Sequence, residues 1–418
     1  MACLSAPLLF CVKRSKPQLI VPSISTPHEQ KPLSDIDDQG TIRVHIPVLM
    51  FYRNSVERRG EDPAMAIKEG LAKALVFYYP LAGRIFEGEN GKLIVNCNGK
   101  GVLFVEAKAN VKLEQLSEKS MQPPCPYLKQ LLHTVPGSKG IIDCPLLLIQ
   151  VTRFTCGGFA LGIRFNHTMM DAQGFIQFVN AVSELVQGAS VPSIIPSWER
   201  GLLTARPTPT ITYEHNEFKD FELSKTTREL QAIKDQCPSS TTFEALSACL
   251  WKCRTIALLP DPNSTVLLTI VVNIRERLQD SKLPIGYYGN AIVLAAAMTT
   301  TKLLCSNPIS YATKLIREAK NAVNDDFVKS TIDLMVTSGR PRGAVLRNFL
   351  IIDNSRFGYD DVDFGWGKPV IGGVYGVGFL VSHKMMEDTK GKLVALALPP
   401  LIMEKFQYEL RKMTRAQK

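Results

Sequence analysis

Residues 159–188 read FALGIRFNHTMMDAQGFIQFVNAVSELVQG. The first seven are mostly apolar and, with a second apolar run at about 145–154 before a Gly-Gly turn, they predict a β-hairpin. From residue 172 onward the apolar side chains recur at the spacing of one helical face, and Gly188 is expected to end that helix. A strand and a helix therefore meet at residues 166–171, the kind of junction at which an α/β sheet presents reactive side chains.

Helices and strands alternate along the rest of the chain, which predicts a layered α/β fold. Residues 62–77 are expected to form a helix with a proline in its first turn, and residues 92–107 a hairpin around an Asn-Gly turn. The helix predicted over 240–256 has Glu244 in its first turn, where a capping residue belongs. The remaining predicted elements are a first strand at 7–12, strands near 265–274 and 290–298, and helices over about 309–323 and 400–415.

The composition changes between residues 191 and 209, where four prolines accompany little periodicity. Such a segment is typical of a connection between domains. We therefore predict an N-terminal domain at 1–190, a crossover linker at 191–222 and a C-terminal domain at 223–418. A chain of 418 residues is long enough for two such domains, each with its own hydrophobic interior.

The composition is that of a globular protein, with 45% hydrophobic and 21% charged residues. No window holds the ~18–20 unbroken apolar residues that cross a bilayer, and the first basic residues follow the N-terminal apolar run instead of preceding it, unlike a secretory signal. The ten cysteines include no CxxC pair and no zinc spacing, so reduced thiols and no metal site are expected. These features together predict a soluble, cytoplasmic protein.

The formal net charge of +10 favours an anionic partner of some kind. The basic residues are dispersed and form neither a run nor a stripe with interleaved aromatic residues. Solvated surface charge is therefore the simpler interpretation, and a nucleic-acid partner is not expected.

Six histidines narrow the search for catalytic chemistry, and His167 is set apart by its position. It lies at the strand–helix junction and is the only histidine of the sequence with an aspartate, Asp171, four residues later. A reactive imidazole at the junction is one interpretation. The other gives Asp171 an N-cap role and leaves His167 a hydrogen-bonded, partly buried side chain. A structural or surface role is favoured for the other histidines, which are His28, His45, His133, His215 and His383. Of these, His133 is expected on an apolar helical face.

Motifs of two other enzyme classes are absent from the sequence. A Ser-His-Asp hydrolase on this architecture would need a G-x-S-x-G elbow. A Rossmann or P-loop nucleotide site would need GxGxxG or GxxxxGK[ST] after a strand and before a helix. The glycine-rich residues 372–378 open no convincing helix and are interpreted as turn and strand.

Two motifs in the chain resemble those of the plant BAHD acyltransferases. His167-Thr-Met-Met-Asp171 is similar to the HxxxD motif of that family, and Asp363-Phe-Gly-Trp-Gly367 matches its DFGWG motif in the expected C-terminal position. The resemblance extends from residues 33–38 to the last predicted helix and is strongest to alcohol acyltransferases of fruit and flowers and to benzyl alcohol or methanol acyl/aroyl transferases. Supporting matches are residues 79–84 (YPLAGR), 146–153 (LLLIQVTR) and 286–290 (GYYGN).

The resemblance implies two α/β domains of similar size in a fold related to chloramphenicol acetyltransferase, with a tunnel between them. It implies a CoA-dependent O-acyltransferase that moves an acetyl, short aliphatic or benzoyl-type acyl group from acyl-CoA to a small alcohol. Acyl-CoA would be a co-substrate of a monomer with no permanently bound cofactor, no metal, and no nucleic-acid or membrane partner. The positive net charge would steer the CoA phosphates, through contacts on the C-terminal domain that are not assigned to individual residues.

The resemblance also implies roles for the motif residues. His167 would take the proton of the acceptor hydroxyl during direct attack on the thioester, without an acyl-enzyme. Asp171 would orient the loop by pairing with Arg275 rather than act in acid–base chemistry. The DFGWG motif is expected to be structural, and packing of Trp366 is favoured over donation from its indole N–H to the developing oxyanion. The other structural residues of that motif are Asp363, Gly365 and Gly367.

Two segments of the chain are shorter than in the family, near residues 219–224 and 373–390. They leave open a catalytically impaired member that binds CoA esters or a partner protein. The closest enzymatic alternative is an N-acyltransferase acting on an amine, which acidic residues in the tunnel would favour.

Overall fold

The computed structural model of the chain describes residues 9–135, 140–218, 240–280, 282–343, 348–376, 379–384, 390–394, 396 and 398–414. Strands and α-helices within these ranges are numbered in chain order. None of the described helices is long and apolar enough to cross a membrane.

The strands are β1 (Val12–Arg14), β2 (Gln18–Ile20), β3 (Glu29–Pro32), β4 (His45–Tyr52), β5 (Arg84–Glu87), β6 (Leu93–Cys97), β7 (Val102–Ala109), β8 (Leu147–Arg153), β9 (Phe159–Asn166), β10 (Thr265–Asn273), β11 (Ile292–Thr300), β12 (Asn348–Asp353), β13 (Ile371–Val374), β14 (Phe379–Lys384) and β15 (Lys390–Val394). The α-helices are α1 (Pro63–Phe77), α2 (Glu118–Met121), α3 (Leu128–Leu131), α4 (Ala172–Val186), α5 (Thr242–Leu258), α6 (Thr301–Ser306), α7 (Ile309–Asn321), α8 (Asp325–Thr337) and α9 (Pro400–Thr414).

A seven-stranded mixed sheet forms the centre of the first half of the chain. Its strand order is β1-β7-β8-β9-β4-β13, with β2 also paired to β7. Strands β8 and β9 form the predicted hairpin, which turns at Gly157 with a φ of +85° that glycine adopts without strain. Strand β9 pairs with β4 as well, so it runs through the interior of the sheet and ends directly before His167.

Helices α1 and α4 pack on each other and share one hydrophobic core with this sheet, called here the first core. Each begins after an aspartate whose carboxylate accepts a backbone hydrogen bond, Asp62 for α1 and Asp171 for α4. Gly174 lets α4 approach the 286–290 segment closely, since a Cβ atom there would lie 2.0 Å from the carbonyl oxygen of Tyr288. The start of α4 is therefore fixed against the second half of the chain.

The second half is built around a sheet with the strand order β11-β10-β12-β14-β15. Strand β10 pairs antiparallel with β11 and parallel with β12, and helices α5, α7, α8 and α9 complete a second core. Helix α5 starts with a capping box in which Thr241 and Glu244 each accept the other's backbone N–H, as the sequence signal predicts.

Residues 92–107 do not form the predicted hairpin. Strand β6 pairs with β3 and β5 in a separate three-stranded sheet, whereas β7 lies beside β8 in the seven-stranded sheet. Gly99 and Gly101 both have positive φ, +63° and +83°, so the chain turns twice between the strands and leaves them in different sheets. The prediction of one Asn-Gly hairpin was wrong because each strand has a longer-range partner.

Two further local predictions differ from the structure. The first strand, expected at 7–12, begins at Val12, because Phe10 leaves the strand path to pack in a small core beside Tyr127. His133 follows the short helix α3 instead of lying on a helical face.

Residues 357–376 return to the first core, although the predicted boundaries group them with the C-terminal domain. Strand β13 pairs with β4, and Phe364 and Trp366 are buried in the first core. The described part of the predicted linker, 191–218, contains two short 3-10 helices, Arg200–Leu203 and Asn216–Phe218, but neither an α-helix nor a strand. Leu203 packs in the second core. The order of the elements along the chain does not reveal this return, because it depends on the pairing of β13 with the distant strand β4.

Candidate active site

The strand–helix junction places His167 and Asp171 at a cavity of about 280 Å³. The two halves of the chain and the returning segment all contribute to its wall. Apolar side chains in the wall include Ile46, Phe165, Phe243, Ile270, Ile352 and Val374. The polar and charged ones are His167, Asp171, Asn273, Arg277, Lys320, Asp353, Asn354 and Tyr359.

Hydrogen bonds hold His167 on three sides. Its N–H donates to the carbonyl of Val44 over 2.9 Å, its own carbonyl accepts from Asn290 Nδ2 over 2.7 Å, and its Nδ1 lies 3.1 Å from the carbonyl oxygen of Met170. A carbonyl oxygen can only accept, so Nδ1 carries the proton of the neutral ring and Nε2 keeps its lone pair. Burial lowers the pKa of His167, against smaller opposing contributions from its hydrogen bonds and from Asp171. The imidazole is therefore neutral at pH 7, with Nε2 free to accept a proton.

The Asp171 carboxylate is occupied by four hydrogen bonds. Arg275 donates to its two oxygens over 2.7 and 3.0 Å, and the backbone N–H groups of Gly174 and Ala291 donate over 3.0 Å each. Burial by itself raises the pKa of Asp171, but the charge and hydrogen bonds of Arg275 outweigh it and hold that pKa below its ordinary value. Asp171 is thus an N-cap and an ion-pair partner at once, and it ties the start of α4 to the second half of the chain.

Sequence reasoning missed a second buried carboxylate, Asp37. Its oxygens accept hydrogen bonds from Arg200 Nη1, at 2.7 and 2.8 Å, and from the backbone N–H and side-chain amide of Asn290, at 2.9 Å each. Arg200 and Asn290 also donate hydrogen bonds to the backbone of the HxxxD loop. Arg200 Nη2 donates to the carbonyl of Met169 over 2.8 Å, and Asn290 Nδ2 donates to the carbonyl of His167. Three segments distant in the chain therefore fix the loop backbone.

Two of the segments that resemble the acyltransferase family include residues of this hydrogen-bond network. Asp37 lies in the matching segment 33–38, and Asn290 closes the matching segment 286–290. No feature of the sequence marked Arg200, which lies in the proline-rich crossover and is buried against three aromatic rings, those of Trp198, Tyr287 and Tyr288.

Residues 363–367 form a turn that braces the far end of α4. The Asp363 carboxylate accepts hydrogen bonds from the N–H groups of Gly365, at 2.7 Å, and Gly367, at 2.9 Å. The Asp363 carbonyl accepts from the Ser183 hydroxyl and from Gln187 Nε2 near the end of the helix. Both glycines have positive φ, +96° and +84°, which explains glycine at these two positions.

Trp366 is not among the described residues that line the cavity. Its ring is 5% exposed, packs edge-on against Phe159 with 5.7 Å between centroids, and lies 5.2 Å below the Arg58 guanidinium. The structure therefore brings His167, Asp171 and Arg275 together and places Trp366 apart from them, which favours packing as the role of the indole.

The other histidines whose side chains are described do not line the cavity. His215 is buried between Glu217 and Ser330, at 2.7 and 2.9 Å, and His28 is exposed. Burial lowers the pKa of His45 to about 4. The side chain of His383 lies outside the described part.

The two shortened segments fall largely outside the described residues. Residues 219–224 are entirely outside, and of 373–390 only 373–376, 379–384 and 390 are described. In the described ranges, no group of three or more His, Cys, Asp and Glu side chains could hold a metal ion.

The chain is similar to known proteins along nearly its whole length. The model of the transferase family matches residues 10–237 and 228–413. Alcohol acyl transferase 1 (allele RGb) of Malus domestica is 46% identical over 97% of this chain and 96% of that protein. Benzyl alcohol O-benzoyltransferase of Petunia hybrida is 45% identical over 98% of this chain and 95% of that protein.

The crystal structure of vinorine synthase shares the fold, with a TM-score of 0.75 at 22% identity over 97% of this chain and 99% of that one. This likeness confirms the predicted two-domain α/β architecture. The matches along nearly the whole sequence confirm the family resemblance of the two motifs. The chain belongs to the transferase family of BAHD acyltransferases.

Proposed function

We propose that this chain is an acyl-CoA-dependent O-acyltransferase that esterifies a small alcohol, with His167 as the general base. The observation that carries the proposal is the neutral imidazole at the cavity, whose Nδ1 is committed to Met170 and whose Nε2 keeps its lone pair. The names of two relatives support the reaction class, an alcohol acyl transferase and a benzyl alcohol O-benzoyltransferase.

In the proposed reaction, Nε2 of His167 accepts the proton of the acceptor hydroxyl while the hydroxyl oxygen attacks the carbonyl carbon of the thioester. A C–O bond forms, and the former carbonyl oxygen carries the negative charge of a tetrahedral intermediate. Collapse of the intermediate breaks the C–S bond, and the imidazolium returns the proton to the departing sulfur. The products are an ester and the CoA thiol, and no side chain becomes acylated.

Asp171 and Arg275 act as positioning residues in this proposal. Their ion pair leaves no oxygen of Asp171 free for proton transfer, and it anchors the end of the loop that carries His167. Asp37, Arg200 and Asn290 anchor the same loop through its carbonyl groups. A base held in this way needs little reorganisation before it can accept the proton.

The cavity wall favours apolar substrate groups. Its aliphatic and aromatic side chains offer apolar contacts to a substrate, and its volume of about 280 Å³ is just below the roughly 300–1,000 Å³ of small-molecule sites. Acyl groups from acetyl to benzoyl and a small alcohol are of a size to occupy such a site. The proposal keeps the expectations of a cytoplasmic protein and of a monomer.

One observation favours a second candidate, transfer to an amine. Asp353 lies in the cavity wall, and its carboxylate would attract a protonated amine. An impaired member that binds CoA esters is disfavoured by the intact environment of His167.

The test is acyl transfer by the purified chain. Acetyl-, butanoyl- and benzoyl-CoA are combined with methanol, hexanol, benzyl alcohol and a primary amine, and CoA thiol release and product mass are followed. We expect ester from the wild type and a loss of about 10²–10⁴-fold in kcat for His167→Ala. The control is His28→Ala, which removes an exposed imidazole and should keep wild-type activity.

Three results would contradict the proposal in different ways. Full activity of His167→Ala would exclude this residue as the base. Faster transfer to the amine than to every alcohol would support the second candidate. Folded protein that binds CoA but forms no product with any pair would support the impaired alternative.

A further inference from the structure

Three sulfur atoms meet between helices α5 and α9. Cys249 and Cys253 lie one turn apart on α5, and Met413 lies in the last turn of α9. The two cysteine sulfurs are 3.9 Å apart, and the Met413 sulfur lies 4.0 Å from that of Cys249 and 3.5 Å from that of Cys253. The methionine is 160 residues from Cys253 in the sequence, so the group exists only because the two helices pack together.

The two cysteines are not placed to form a disulfide. Side chains four residues apart on a helix have Cβ atoms about 5–6 Å apart, whereas a disulfide needs a Cβ separation of about 3.5–4.5 Å. Helix α5 is continuous across both cysteines and extends for two more turns on average beyond its capping box. The two thiols therefore stay separate, and each can act as a ligand.

The sulfur triangle has the size of a metal site. A triangle with sides of 3.5, 3.9 and 4.0 Å has a circumradius of about 2.2 Å, close to the ~2.3 Å at which thiolate sulfur binds Zn²⁺. One point between the helices is thus at metal-bonding distance from all three sulfurs. A cation with a filled d shell and the size of Zn²⁺ would contact them with little movement of the side chains.

The ligand set selects a soft ion with three ligands. Thiolate and thioether sulfur together favour Cu(I), which like Zn²⁺ has a filled d shell. A structural Zn²⁺ takes four ligands from Cys, His, Asp and Glu side chains. In the described ranges, no third side chain of these four types joins the two cysteines in a possible metal site. The three sulfurs therefore favour Cu(I) over Zn²⁺.

Burial and charge around the triangle also suit Cu(I). Both cysteines are 0% exposed, while Met413 is partly exposed, so an ion reaches the triangle past the methionine. One Cu⁺ and two thiolates carry a net charge of −1. The Lys252 ammonium is near enough to act on Cys253 through its positive charge and offsets this negative charge. The Glu409 carboxylate acts in the opposite direction, but it is paired with Lys412 over 3.6 Å.

We propose that Cys249, Cys253 and Met413 form a binding site for one Cu(I) ion, which ties helix α9 to helix α5. Two S–H groups and one Cu⁺ give a complex of two thiolates and one thioether, and two protons leave to the solvent. The copper stays Cu(I), so no electron is transferred. None of the three residues is among the described ones that line the His167 cavity, and the inference does not depend on acyl transfer.

The test measures Cu(I) binding by the full chain. The protein is purified in reduced form and titrated without oxygen against bicinchoninate, a coloured Cu(I) chelator. We expect the wild type to withdraw one equivalent of Cu(I) more tightly than any further equivalent. X-ray absorption at the copper edge should show three sulfur neighbours at about 2.2–2.3 Å. Because an ion that binds only the folded state stabilises it, saturating Cu(I) should raise Tm.

Three variants identify the ligands. Met413→Leu keeps the apolar bulk and removes the thioether; loss of an outer-shell partner lowers metal affinity by about 10–100-fold, and loss of a direct ligand should lower it at least as much. The double variant Cys249→Ala/Cys253→Ala should lose the copper-dependent rise in Tm. Cys125→Ala is the matched control, because it removes a buried thiol in the small core beside Tyr127 and should keep wild-type binding.

The Tm of Met413→Leu without copper should stay near that of the wild type, which separates loss of a ligand from loss of folding. Equal Cu(I) affinity of the wild type and Met413→Leu would overturn the inference, as would an unchanged copper-dependent rise in Tm in the double variant. Nitrogen or oxygen neighbours of the copper would do the same. Acyl transfer is measured without copper, so these results leave the proposed function standing, and a lack of turnover leaves this inference standing.

Discussion

Replacing Asp171 by asparagine should strongly destabilise the protein. The Asp171 side chain is 5% exposed and that of Arg275 11%, so both charges are withdrawn from water. Asparagine can still cap α4 through its carbonyl oxygen, but its NH₂ group would then face another donor, the Arg275 guanidinium or the Ala291 N–H. Because removing one partner of a buried ion pair costs about 3–5 kcal/mol, we expect the free energy of unfolding to fall by that amount.

The same substitution at Asp62 is a matched control. Asp62 also caps a helix, α1, and also accepts hydrogen bonds from an arginine, Arg153, at both oxygens. Its side chain is 37% exposed and that of Arg153 21%, so water solvates both charges. Such a pair contributes about 0–1 kcal/mol, and Asp62→Asn should cost no more than that.

Differential scanning calorimetry checks both values. With an unfolding entropy of about 2.1 cal/mol/K per residue, a loss of 3–5 kcal/mol lowers the Tm of a 418-residue chain by about 3–6 °C, and the control should shift by about 1 °C at most. The double variant Asp171→Asn/Arg275→Met also removes the charge that is left unpaired. Its loss of stability should therefore be about 0.5–3 kcal/mol smaller than the sum of the losses caused by Asp171→Asn and Arg275→Met alone. Equal Tm shifts in the two single variants, or no recovery in the double variant, would refute the argument from buried charge.

Three other predictions follow from the site. Because burial lowers the pKa of His167, the folded protein favours the neutral ring, so kcat/KM should be level above pH ~6.5 and should fall only at lower pH in a pH–rate profile. Trp366→Phe should lower stability by about 1–2 kcal/mol in calorimetry but change kcat by no more than about twofold, since the indole does not line the cavity. Gly365 and Gly367 both have positive φ, so an alanine strains the backbone at either position. Only at Gly365 would the added Cβ atom lie 2.5 Å from the Arg58 guanidinium and displace it from the Trp366 ring. Gly365→Ala should therefore lower the free energy of unfolding by roughly 0.5–1 kcal/mol more than Gly367→Ala.

Each of these predictions has a result that contradicts it. A rate that declines between pH 8 and about 6.5 would show that His167 has an ordinary or raised pKa. A large loss of kcat in Trp366→Phe with unchanged Tm would restore the indole as an oxyanion donor. Equal stability of the two glycine variants would mean that the position of Arg58 contributes nothing.

The sequence predicted most of the local structure correctly. The helix that begins after Asp171, the β8–β9 hairpin and the capping box at Thr241 all depend on residues within a few positions of one another, so their signals are contained in short windows. The two motifs predicted the family, which the relatives confirm over almost the whole chain.

The sequence left strand pairing open. Strand β6 was expected to pair with β7, the next strand in the chain, but it pairs with β5, the strand before it, and with the distant β3. Likewise the segment with Trp366 follows the second core in the chain yet packs in the first, because β13 completes the edge of the sheet next to β4.

The sequence by itself determined that His167 lies between a strand and a helix and that Asp171 caps that helix, because both follow from local backbone geometry. The tertiary structure alone decided how the loop is held and what faces it. Asp37 meets Arg200 across 163 residues and Asn290 across 253. Hydrogen bonds and burial depend on which side chains are brought together in space, and no local pattern in the sequence encodes that proximity.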